Sequence, residues 1–547
     1  MMDCRKGNRR RCLPLLLCLL AVFLAMNMME GTGEARKAKS TADPSPRTKT
    51  ILFVPQDNRP TSREQSAEAV EKLGYRVLMP PRELLGGLEA GKPEELWEWT
   101  AVQAARADAA VISTDAFLYG GLVASRKHEL SEQALSERVQ RLASLKQRNQ
   151  RLKVYAFGSL MRTPASGPAS GGEEPDYYLT YGAQIFRRSG LLDKQEHGGL
   201  TDGETQELQD LAATIPSEVW QDWTQRRAKN FTVDERLIDL SRTGALDLFI
   251  LGKDDNAPLS ATHAESLRLP RHAAAVPRTR FQMLAGIDEF AALILARAVN
   301  DEEHVVPFVN VQYNWGVGGA MVPDYSDEPI ADSIQSDLLI AGAVAVPDPA
   351  HADLVLLVNT PPDGKMGYGN APDNDGTDLY DAQSLARYAG SLIAQGYRVA
   401  IADITRTNGA DNALMNALRD AGLLFKLYGY AGWNTATNSV GFALGQGVLS
   451  VRLPEDDVDR LLLARYLDDW GYQSNVRTAV TNQLAMLLDG GAYLNLGRYE
   501  PAVQLRVTRL LREFAARNLP PYLGVDHLNF YFPWHRMFIG GIVLPDR

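Results

Sequence analysis

The residues best suited to chemistry stand together in Leu246 to Pro258, which reads L-D-L-F-I-L-G-K-D-D-N-A-P. An apolar run closes at Gly252, and two adjacent carboxylates, Asp254 and Asp255, follow it. Neighbouring acids in a partly buried setting disfavour each other's charge. One then keeps a proton while the other stays ionised, the division of labour that acid/base catalysis uses. Asp-Asp-Asn-Ala-Pro is also good turn and capping chemistry, so position must decide between the two readings.

Position favours chemistry, because the same event recurs along the chain. Asp57 and Arg59 follow an apolar run in V-P-Q-D-N-R-P, Asp115 and Tyr119 in S-T-D-A-F-L-Y, Arg162 in F-G-S-L-M-R, and Asp403 in I-A-D-I-T-R. Y-A-G-W-N-T-A-T-N sets Tyr430 and Trp433 beside Asn434. An aromatic face takes the C–H side of a sugar ring while an amide bonds its hydroxyls. The residues thus assign Asp254, Asp255 and Asp403 to catalysis, with Asp255 as general acid. Asp57, Arg59, Asp115, Tyr119, Arg162, Tyr430, Trp433 and Asn434 are assigned to substrate. The eight histidines are scattered without His-x-His or His-Glu-x-x-His spacing, so no metal and no cofactor is expected. Neither a phosphate-binding Gly-x-x-x-x-Gly-Lys-Ser/Thr loop nor a Gly-x-Ser-x-Gly elbow occurs.

Strands must hold these groups. Apolar runs at 50–54, 75–79, 109–113, 153–157, 246–251, 304–311, 352–358, 398–402 and 424–429 alternate with helical patterns. That alternation calls for an α/β fold with a mainly parallel sheet and right-handed crossovers. A (β/α)8-like barrel is the favoured closure, and two doubly wound halves facing across a cleft are the alternative. Residues 163–245 break the rhythm and read as a helical insertion over the strand ends. The α/β domain is expected over 49–454, with a C-terminal helical and aromatic segment, 455–547, packed on it.

Five basic residues precede the apolar stretch Leu13 to Met26, so residues 1–36 read as a signal peptide or signal anchor, and 37–48 as a polar tether. All three cysteines lie in that signal, which excludes disulfides and a cysteine nucleophile for an exported domain. The whole chain of 547 residues bears a formal charge of −10, and residues 1–36 carry six basic against three acidic groups, leaving −13 beyond them. An acidic exported protein is a poor partner for nucleic acid, and a membrane is met only through the signal segment.

Taken in order, V-P-Q-D-N-R-P, S-T-D-A-F-L-Y-G-G-L-V-A-S-R, F-G-S-L-M-R-T-P, L-G-K-D-D-N-A-P, N-G-A-D, Y-A-G-W-N-T-A-T-N and a closing P-W-H-R-M-F resemble the bacterial domain of unknown function 4127 family over about residues 50 to 540. The resemblance implies Asp-Asp-Arg-Pro at the first strand, where this chain has Asp57-Asn58-Arg59-Pro60. The residues point to an exported carbohydrate-active hydrolase acting on a small-molecule or oligosaccharide substrate. The alternatives are a non-catalytic sugar-binding protein of the envelope, or an oxygen-ligand metal hydrolase built on Asp57, Asp115 and Asp403.

Overall fold

A computed structural model describes residues 48–167, 171–377, 379–487 and 493–545. The signal and nearly all of the tether lie outside these residues. Six parallel strands form a first sheet: β1 (Thr50–Val54), β2 (Arg76–Leu78), β3 (Ala109–Ser113), β4 (Lys153–Leu160), β5 (Leu248–Lys253) and β6 (Phe281–Ala285), in the order β2-β1-β3-β4-β5-β6. A second sheet contains β7 (Phe308–Tyr313), β8 (Val344–Ala345) and β9 (Leu354–Asn359). After a short β10 (Gly367–Tyr368) the sheet continues with β11 (Val399–Asp403); after β12 (Arg406–Thr407), which pairs β10, it ends with β13 (Gly429–Ala431). Its order is β8-β7-β9-β11-β13, again all parallel.

Both sheets therefore run second strand, first, third, fourth, fifth, the doubly wound pattern. The α/β class and the parallel sheets are as expected. Among the described residues eleven strands are divided between two large parallel sheets and the rest form two-stranded pairs, with no eight paired in one ring, which is the arrangement of two doubly wound halves.

Strand sequences explain the layering, because successive side chains point to opposite faces. In β1, Ile51 and Phe53 point to one core while Leu52 and Val54 point to another. The outer face of the first sheet is covered by helices that include Glu132–Arg148 and Ser217–Thr243. The latter is the ordinary crossover between β4 and β5, so the expected insertion is in part a structural helix and not wholly a cover for the strand ends. Helices Leu379–Ala394, Asn412–Asp420, Glu455–Arg465 and Glu500–Asn518 cover the outer face of the second sheet.

Between the sheets lie Phe290–Glu303, which touches β3 and β4, and Ala436–Ser450, which touches β11 and β13. These two helices pack on each other, and both are apolar nearly all round, as a helix between two layers must be. Gly445 permits the close approach: a Cβ there would stand 3.1 Å from the Ala292 carbonyl carbon. One core thus runs from Ile51 and Phe157 through Leu293 and Leu444 to Leu356 and Ala400.

Candidate functional site

The strand ends of the first sheet open on a cavity of about 260 Å³. Its wall includes Arg59, Arg126, Arg162, Glu173, Asp254, Asp255 and Asp288, with Asn408 and Asn434 from the second sheet's side and Phe538 from the C-terminal segment. Cations and carboxylates alternate around it. Arg59 Nη2 lies 2.7 Å from Asp57 Oδ2 and 2.6 Å from Asp288 Oδ1. Arg126 bonds Asp254, and reaches Glu173 at 2.9 Å. Arg162 Nη1 donates to Asp255 Oδ2 at 2.6 Å and its Nε to Glu174 at 2.9 Å. Arg536 pairs with Glu173 as well. Each buried charge therefore has the partner that burial requires.

Electrostatics separate the acids. Burial, and then repulsion from Asp255, pushes the Asp254 carboxyl up to about 7 against the pull of Arg126 and Arg162. Burial acts on Glu173 in the same sense, but Arg536, Arg162 and Arg126 together hold it well below the usual carboxylate range. Asp115, behind the cavity, is pushed up to about 7 by burial despite its bond from Ser159.

Backbone strain gathers here too. Six non-glycine residues among those described have positive φ, and four of them line the cavity: Asp255 (40°), Tyr325 (65°), Asn408 (59°) and Asn434 (71°). Asn and Asp visit this region at modest cost, whereas a bulky Tyr does so only when its surroundings impose it; such residues concentrate at functional sites.

Several assigned residues meet in this wall: Arg59, Arg162, Asp254, Asp255 and Asn434. Asp57 stands behind Arg59, which it grips through both oxygens. The remaining assigned residues stand outside the cavity wall. Asp403 is fully buried and accepts from Asn359 Nδ2 (2.9 Å), Tyr430 Oη (2.9 Å) and Asp411 N (2.8 Å), so its bonding is spent inside the second half and it does not line the cavity. Tyr430 and Trp433 are 0% and 2% exposed and offer no stacking face to a ligand. Tyr119 stacks on His128, 4.9 Å between ring centres, beside a different hollow. Asp57, Asp115 and Asp403 have separate partners, and among the described residues no three His, Cys, Asp or Glu side chains are gathered as a metal site would need.

Sequence reasoning missed Asp288, on which Gln56, Arg59 and Asn434 all converge. It follows β6 in F-Q-M-L-A-G-I-D, the same run–Gly–acid form as Asp254, and Gly286 there takes φ 108°, where a Cβ would strike the Glu289 carboxylate. Arg126 and Arg536 were missed as well. Trp534 is wedged between Arg59 (5.0 Å) and Arg536 (4.8 Å), and its Nε1 donates to Asn58 Oδ1 at 2.7 Å. Position 58 thus faces the tryptophan, and an amide oxygen meets the same need there as a carboxylate.

The chain belongs to a family of proteins of unknown function, DUF4127, whose family model it matches over residues 51–542. A comparison with curated proteins finds no match.

Proposed function

We propose that the protein is a hydrolase of glycosidic bonds that works by carboxylate acid/base catalysis, with Asp254 as the acid. The observation that carries this reading is the adjacent pair in the cavity: Asp254, pushed up to about 7, beside Asp255, one of whose oxygens is held by Arg162. Asp254 gives its proton to the glycosidic oxygen as the C–O bond breaks. Asp255 takes a proton from the water whose oxygen bonds the released carbon. These roles reverse those expected for the pair from sequence.

Arginines and carboxylates alternate around the cavity, which suits a ligand rich in hydroxyls that donate and accept in turn. Phe538 and Tyr325 supply the apolar faces first ascribed to Trp433 and Tyr430. A binding protein without chemistry is the reading that two doubly wound halves favour. The continuous core between the sheets argues against it, because lobes that close on a ligand need separate cores. The acidic composition and the basic, apolar N-terminus support an exported enzyme.

The test is hydrolysis of nitrophenyl glycosides and cell-wall oligosaccharides by the protein and its Asp254→Asn variant. Turnover by the wild type that drops about 10²- to 10⁴-fold in the variant supports the reading. Thermal stabilisation by sugars with no turnover on any of them replaces it with the binding protein.

A further inference from the structure

Away from the cavity the fold fixes two aromatic side chains that it leaves in water. Trp315 is 57% exposed and Tyr388 43%, and neither lines the cavity. Exposed side chains ordinarily change rotamer freely, but each of these is tied by its one polar atom. The Trp315 Nε1 donates to Asp381 Oδ1 at 2.8 Å, and the Tyr388 hydroxyl donates to Gln312 Oε1. The Trp315 backbone is held as well. Its N–H donates to Asn314 Oδ1 at 3.0 Å, Asn314 N donates to the Val358 carbonyl at 2.9 Å, and Val317 N to the Pro362 carbonyl at 3.1 Å.

Spacing relates the two residues. Asp381 and Tyr388 stand seven positions apart on the helix Leu379–Ala394, on one face and about 10 Å apart along its axis. Gln312 and Trp315 stand three positions apart where the backbone of β7 runs on towards Asn314, again about 10 Å. The helix therefore runs antiparallel to β7 with the two hydrogen bonds as rungs, and it separates the two aromatics by about that length.

We propose that Trp315 and Tyr388 form a surface site for a glycan chain, so that the substrate is a polysaccharide held both here and in the cavity. The inference takes from the glycosidase reading only the class of ligand, and adds to it the ligand's length. The indole N–H and the phenol O–H are used within the protein, so each ring has its flat apolar face left to offer, which the C–H side of a pyranose covers. Gln312 and Asp381 between the rings suit the hydroxyls at a sugar's rim, whereas a protein partner would have to strip them of water. An extended glycan covers the gap with about two linked rings. A second hold on the same chain raises the effective concentration of its bonds at the cavity.

The experiment is depletion of the protein from solution by powdered chitin and cellulose, for the wild type, Trp315→Ala, Tyr388→Ala and Asp254→Asn, with turnover of soluble nitrophenyl glycosides measured beside it. Expected is an affinity for one of the solids that falls about tenfold in Trp315→Ala, the size of one stacked ring, and in the same direction in Tyr388→Ala. Asp254→Asn should adsorb like the wild type, and the two aromatic variants should hydrolyse the soluble glycosides at its rate. Wild-type adsorption that neither aromatic variant weakens, or no adsorption at all, overturns the surface site. A dimer in sedimentation that Trp315→Ala dissociates overturns it too, because a second copy then takes this face. Adsorption lost in Trp315→Ala, with no turnover by any form, retires the glycosidase and keeps the surface site; turnover with adsorption indifferent to both aromatics does the reverse.

Discussion

The two halves share a strand order but use their strand ends differently. In the first, β4, β5 and β6 deliver Arg162, Asp254, Asp255 and Asp288 to a cavity wall. In the second, β9, β11 and β13 deliver Asn359, Asp403 and Tyr430, which bond one another and are buried at 2%, 0% and 0% exposure. Asp469 seals the same region by accepting from Gly432 N at 2.9 Å. A polar residue past a parallel strand is therefore not enough to make a site. What distinguishes the halves is whether hydrogen-bonding capacity is used internally or presented to open space.

The comparison can be broken most sharply at its two aspartates. Asp254→Asn should cost about 10²- to 10⁴-fold in turnover with the melting temperature little changed, read by steady-state kinetics beside thermal denaturation. Asp403→Asn should do the opposite, because the amide N–H₂ would face either the Asn359 amide or the Asp411 N–H and Tyr430 hydroxyl, donors that the two carboxylate oxygens now accept from: about 1–3 kcal/mol of stability lost in denaturant titration, with turnover per folded molecule retained. Turnover lost in Asp403→Asn at full stability would falsify the division between the halves.

Asn434→Ala tests an amide of the second half that bonds a first-half carboxylate, Asp288. A loss of about 1 kcal/mol, or roughly fivefold in kcat/KM, is expected. Activity should also fall with a midpoint near pH 7 as Asp254 loses its proton, a limb that Asp254→Asn removes. Stability follows with a defined sign. Asp254, Asp115, Asp411 and Asp469 all have carboxyls raised from 3.8 to about 7 by burial first. Their contribution is fully present below the unfolded value near 4 and is lost as pH rises towards 7, so melting temperatures at pH 5 and pH 8 measure it. The smallest effect is expected of Asn58→Asp, within about 0.5 kcal/mol, since either side chain accepts the Trp534 N–H.

Much of this was legible because buried parallel strands are written as short apolar runs: β1, β3, β4, β5, β9 and β11 lie within a residue or two of the runs that announce them, except at the C-terminal end of β4, which extends to Leu160. Where the run is diluted, reading failed. β6 is only F-Q-M-L-A, and overlooking it hid Asp288. The run at 424–429 misled in the other direction: Leu424–Lys426 is a tight turn, and β13 begins only at Gly429. The division into two sheets was open from sequence, since pairing depends on tertiary contacts that no local pattern records. Asp254 and Asp403 look alike in sequence, and only the partners brought by distant segments, Arg126 for one and Tyr430 for the other, tell them apart.

The helix Phe290–Glu303 carries a consequence for how the chain reaches this state. Ten of its fourteen residues are buried, and it packs against Ile330–Ala341 and against Ala436–Ser450, the latter more than a hundred residues downstream. A growing chain that has completed the first sheet still shows an apolar flank to water. The first half is then no independent folding unit, and fragments ending near residue 303 should aggregate where the full chain refolds. On the proposal that the chain is exported unfolded, such a late-arriving partner would delay compaction until most of the chain is through.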